Sequence, residues 1–135
     1  MKARLTILAA AIVVASAVPV VAHHSFAAEF DAAKTVDFTG VVTKVEWMNP
    51  HVYFYTDVKD EQTGRIENWA WEMGAPAVIQ RNGWTRNSMK IGDIVIVEGT
   101  RAKSGKPHGN AQSVTLASTG KKLGAGSSEG ELPQE

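Results

Sequence analysis

The chain has no cysteine among its 135 residues. That absence excludes disulfides, thiolate metal sites, a cysteine nucleophile and a cysteine-linked lipid anchor, so apolar packing alone must hold the core. An excess of either charge is also missing, with 14 basic residues set against 14 acidic ones. No basic stretch stands out, and the electrostatic footprint of a nucleic-acid binder is therefore lacking. Nucleophile-elbow and phosphate-loop glycine patterns are absent too. No catalytic residue is assigned. Glu46, Glu67 and Glu72 read as solvent-face residues of strands rather than as paired carboxylates.

Long hydrophobic runs are confined to one. "LTILAAAIVVASAVPVVA", residues 5–22, carries no charge, follows Lys2 and Arg4, and is broken by Pro19. Val20 and Ala22 put small residues at the third and first positions before a cut after Ala22. This pattern predicts an export signal over residues 1–22, and hence a periplasmic or secreted protein with no stable membrane span after processing. Two alternatives remain: a cut after Ala17, or an uncleaved anchor, since the run is close to the shortest that crosses a bilayer. Cleavage removes Lys2 and Arg4 but no acidic residue, leaving the mature chain mildly acidic.

Beyond a lead-in, "HHSFAAEFDAAKTV", alternation of apolar and polar residues takes over. In "VDFTGVVTKVEW", Val36 and Phe38 share a face and the pattern resumes as Val41, Val45 and Trp47, which predicts a bulge and bend at Gly40. "VYFYTDV" puts Val52, Phe54, Thr56 and Val58 on one face, with Tyr53, Tyr55 and Asp57 on the other. After the polar loop "KDEQTGR", "IENWAWEM" aligns Trp69, Trp71 and Met73. Gly74, Pro76 and Gly83 bracket a short helix. "IVIVE" and "AQSVTLAS" supply a fourth and a fifth strand. Three strands, a helix and two strands predict a mainly all-β fold, a small five-stranded OB-like Greek-key barrel with one short helix between strands three and four. The predicted domain runs over 23–119, followed by a flexible polar tail over 120–135.

The four histidines are the plausible metal ligands. A cut after Ala22 would give His23 a free amine of pKa about 8 beside its own imidazole. Amine and ring nitrogens on one residue form a chelate, and His24 would add a third nitrogen in the manner of a histidine brace. Nitrogen donors of this kind suit copper best among first-row metals. His24 could instead use an amine–amide–imidazole chelate, and both residues could be plain solvated histidines. His51, just after Pro50, is the natural third residue of the site, its alternative role being a hydrogen bond at the turn. His108 lies in the Gly/Pro/Lys loop "KSGKPHGN" and is expected to be solvated, although in an OB-type barrel it would border the binding face. Tyr53, Tyr55, Arg101 and His108 form the candidate ligand face. Trp47, Trp69, Trp71 and the methionines Met48, Met73 and Met89 are assigned to core packing.

"AHHSFAAEFD", "VTKVEWMNPH", "NWAWEMG", "GWTRNSMKIGD" and "VEGTRAKSG" together resemble a family of small exported bacterial proteins catalogued as a domain of unknown function. The resemblance runs from about His23 to Leu123. It implies an exported single domain and supplies no catalytic residue. Three functions follow as expectations: a periplasmic copper-binding protein for trafficking or tolerance, a non-enzymatic module binding a small molecule or another envelope protein, and a copper-dependent oxidase. The last lacks an evident substrate cleft.

Overall fold

A computed structural model describes residues 25–126 of the chain. The predicted export signal, His23, His24 and residues 127–135 lie outside the described residues. A single helical turn, α1 (Phe26–Glu29), leads directly into β1 (Phe30–Glu46), a strand of 17 residues. β2 (Tyr53–Lys59), β3 (Ile66–Glu72), α2 (Pro76–Arg81), β4 (Ile94–Ala102), β5 (His108–Leu116) and β6 (Lys122–Gly124) follow. The fold is mainly β: one six-stranded sheet in the order β3-β2-β1-β4-β5-β6. Its neighbours pair antiparallel, and β3 additionally pairs parallel with β5.

The strand faces follow the alternation in the sequence. Phe54, Thr56 and Val58 of β2 are buried, as are Trp69 and Trp71 of β3 with Met73 just beyond it. Trp69 and Trp71 stack at 5.3 Å, Phe38 packs on Trp69 at 4.8 Å, and the Trp71 indole N–H donates to Thr56 Oγ1 at 2.9 Å. The indole's polar atom is thereby satisfied inside the core, as burial of Trp requires. α2 begins with Pro76 in its first turn, where a missing N–H costs nothing, and closes before Gly83, whose φ of 94° suits glycine. Its one buried residue, Ile79, joins Trp84 and Met89 over the core.

Three expectations change. The phase slip of β1 falls not at Gly40 but between Val42 and Lys44. Gly40 stays paired with both Val58 and Val95, and Val42 is the inward residue while Val41 is 42 % exposed. Gly40 serves close approach: a Cβ there would lie 2.9 Å from the Asp57 carbonyl oxygen and 2.9 Å from Thr56 Cβ. Met48 is exposed rather than core. The predicted start of the tail also contains structure, since Lys122–Gly124 pairs with β5 and Ala125 is buried. Trp84 explains this order, because its indole N–H donates to the Gly124 carbonyl at 2.8 Å.

Candidate functional site

The site grows from what lies at the two ends of chain segments far apart in sequence. Residues of the lead-in become the start of β1, with Phe30 opposite Ala102 of β4. The parallel pairing of β3 with β5 sets Ala70 opposite His108 and Glu72 opposite Asn110. Together these pairings bring Glu29 from α1, Glu72 from the end of β3 and His108 from the start of β5 into one cluster. Each offers a ligand atom, and those atoms lie no more than 4.8 Å from one another.

Glu72 is the centre. It is only 7 % exposed, against the expectation of a solvent-face residue. Tyr53 donates its hydroxyl hydrogen to Glu72 Oε2 at 2.9 Å, and His51 Nδ1 lies 3.5 Å from Oε1. Alternation does point Glu72 away from Trp71 and Met73. At this end of the outer face, Glu29 of the lead-in segment brings a ligand atom within 4.8 Å of Glu72.

His108 also departs from expectation. It is the first residue of β5 rather than part of a solvated loop, and its side chain is largely covered. Phe30 meets its ring edge-on at 5.2 Å. Nδ1 faces Glu29 Oε1 at 3.5 Å, and Nε2 is buried with no hydrogen-bond partner among the described residues. A buried polar nitrogen left unpaired costs free energy, so such an atom calls for an explanation.

His51 donates from Nδ1 to the Met73 carbonyl oxygen at 3.0 Å. A carbonyl only accepts, so the hydrogen sits on Nδ1 and the neutral ring keeps its lone pair on Nε2. The ring does hydrogen-bond a backbone carbonyl, but one just beyond β3 rather than within its own turn, and it keeps a nitrogen free of that bond.

The candidate ligand face divides. Tyr53 and Tyr55 share one side of β2, but both hydroxyls are engaged, Tyr55 with Glu46 Oε2 at 3.0 Å. Burial, reinforced by the Glu72 charge and hydrogen bond, pushes the Tyr53 phenol above the range of ordinary tyrosine ionisation. Tyr55 shifts the same way for the same leading reason. Arg101 turns elsewhere, its guanidinium 5.0 Å above the Trp69 ring and donating to the Gly105 carbonyl at 3.2 Å. An open cleft of about 580 Å³, lined by Asp37, Phe38, Lys59, Glu67 and Trp69 among others, involves none of these candidate residues.

Fold and site together define a mainly β protein with a histidine–carboxylate cluster at one end of its sheet. The chain belongs to the Family of unknown function (DUF6152), which matches residues 10–112. No curated protein matches the chain. Among the described residues, no helix is long and apolar enough to cross a membrane.

Proposed function

We propose that the chain is an exported metal-binding protein that takes copper through His23, His24 and His51, on an OB-like Greek-key barrel. The observation carrying this reading is the state of His51. Its Nδ1–H is fixed on the Met73 carbonyl, leaving Nε2 as the lone-pair donor. Its ring also lies 3.5 Å from Glu72, which belongs to one cluster with Glu29, and Glu29 follows His23 and His24 by only a few residues. The amine, the three rings and the carboxylates would then stand within one neighbourhood. The barrel reading is supported by the β1–β2–β3 meander, the β1–β4 pairing, the parallel β3–β5 pairing and α2 between β3 and β4. Export is supported by the uncharged run over residues 5–22 behind Lys2 and Arg4.

The test has two stages. Intact mass of the protein recovered from the periplasm reads the first residue, which should be His23; a start at Val18 removes the chelating amine. Copper(II) titration followed by paramagnetic resonance should give a nitrogen-rich signal that weakens in His23→Ala and His51→Ala. An unchanged signal in both variants rejects the assignment.

A further inference from the structure

We propose that Glu29, Glu72 and His108 form a divalent-cation site of their own, suited to zinc, that does not need His23 or His24. It goes beyond the copper reading and stands or falls separately from it.

Three features carry the site. The first is convergence: ligand atoms from α1, β3 and β5 lie no more than 4.8 Å apart. In a tetrahedral zinc site, metal–ligand bonds of about 2.0–2.2 Å put neighbouring donors about 3.4 Å apart. His108 Nδ1 and Glu29 Oε1 are already 3.5 Å apart. Rotation of the Glu29 carboxylate, on a side chain 37 % exposed, can draw in the rest.

The second is unsatisfied chemistry. Two carboxylates approach each other with Glu72 nearly buried, and their ion-pair partners among the described residues are histidines alone. A divalent ion would balance two carboxylates and a neutral imidazole, and one nitrogen with two oxygens is a donor set zinc accepts. Calcium and magnesium prefer oxygen throughout. Lys103 borders the site, but its ammonium donates to the Ala27 carbonyl.

The third is support around the ligands. Tyr53 donates to Glu72, His51 Nδ1 lies 3.5 Å from it, and Phe30 packs edge-on against His108. Such outer groups orient metal ligands and tune their affinity. A shallow cleft of about 340 Å³, bordered by Glu29, Ala102, Ser104 and His108, gives the ion a way in.

Zinc titration by calorimetry, with cobalt(II) as a visible-absorption reporter, tests the site on the full mature chain. Wild type and the double variant His23→Ala/His24→Ala should bind one zinc ion with closely similar affinity. His108→Gln, Glu72→Gln and Glu29→Gln should each weaken binding by about tenfold or more, since loss of even outer-shell partners costs that much. Glu29→Gln alters a partly exposed side chain and keeps the result interpretable should either of the more buried variants misfold. Absence of zinc binding in wild type overturns the proposal, as does unchanged zinc affinity in Glu29→Gln and His108→Gln. Loss of zinc in His23→Ala/His24→Ala with full retention in His108→Gln would move the metal to the N-terminus and overturn it too. Copper binding that fails in His23→Ala leaves this zinc result untouched, so the two readings fail by different variants.

Discussion

Tyr53 and Tyr55 lie on the same side of β2, and each gives its hydroxyl hydrogen to a glutamate, Glu72 and Glu46 respectively. The company kept by the two glutamates differs. Glu46 forms an ion pair with Lys44, whose ammonium also sits 5.2 Å from the Tyr55 ring centroid. Lys44 and then Tyr55 hold the Glu46 carboxyl below its usual range. Glu72 is nearly buried and has histidines and a second carboxylate around it, with no lysine or arginine ion pair among the described residues. One cluster contains its own cation; the other has the shape and charge to receive one. A solvated lysine–glutamate pair contributes little to stability. A buried carboxylate without a fixed counter-charge is costly. The cost is concentrated where a ligand would remove it.

Zinc should therefore separate the two clusters most strongly. At about a hundredfold excess over its dissociation constant, a ligand bound only by the native state adds about 2.7 kcal/mol. Chemical denaturation of wild type with and without zinc should show a gain of this order. Glu72→Gln should lose most of that gain, whereas Glu46→Gln should keep it. Equal gains in both variants would erase the distinction.

Without metal, Glu72→Ala should cost about 2 kcal/mol, because it strands the half-buried Tyr53 hydroxyl and leaves a gap at a nearly buried position. Glu46→Ala should cost clearly less, since water can replace the lost carboxylate. Urea midpoints at fixed slope measure both. A larger loss from Glu46→Ala would mean that Glu72 is already poorly held.

Much of the sheet was legible from sequence, because alternation reports burial directly. Trp69, Trp71 and Met73 face the core as their spacing required, and Pro76 and Gly83 bracket α2. The site was less legible because it depends on contacts between segments distant in sequence. Alternation assigns Glu72 to the outer face but says nothing of what covers that face. Glu29, which approaches it, belongs to a segment whose sequence lacks a strong strand period. Gly105 and Pro107 predict a loop at His108; β3–β5 pairing, a contact between segments distant in sequence, makes it a strand residue. The bulge in β1 was misplaced for a related reason. Gly40 looked like the irregular residue, yet its role is clearance from Thr56, and the shift near Thr43 carries no local signal. The histidine pair remains a sequence inference, since His23 and His24 precede the described residues.

Alkaline titration sharpens the comparison through the only two tyrosines in the chain. Both phenols are raised, first by burial; Lys44 partly opposes the shift at Tyr55, and no lysine does so at Tyr53. Tyrosinate absorbance should therefore appear first from Tyr55 and last from Tyr53, with Tyr53→Phe removing the later phase. The stability sign follows. A native pKa raised above the unfolded value of about 10 gives a contribution fully present below that pH and lost as pH rises beyond it. Saturating zinc, by placing a cation beside Glu72, should lower the Tyr53 phase and leave Tyr55 unmoved. Equal movement of both phases would show that zinc acts through a general change and not through the cluster.

The smallest effect belongs at acid pH, and it tests the self-contained side. Glu46 and Glu98 are both depressed, each led by a lysine, Lys44 and Lys122, and then by a hydroxyl, Tyr55 and Ser113. A lowered native pKa means that the unfolded chain takes up protons first. Their contribution is present above the ordinary glutamate pKa of about 4.3 and is lost as pH falls through the native value. Because both carboxylates are solvent-accessible, salt should screen the effect. Thermal midpoints followed from neutral pH down to about pH 3 should fall less steeply in Lys44→Met than in wild type, and the difference should shrink in molar salt. The same substitution should leave zinc affinity unchanged, because Lys44 serves Glu46 and Tyr55 and has no ion pair with Glu72. A changed zinc affinity in Lys44→Met would show that the two tyrosine–glutamate pairs communicate along β2, and the contrast between them would then describe one coupled network rather than two independent ones.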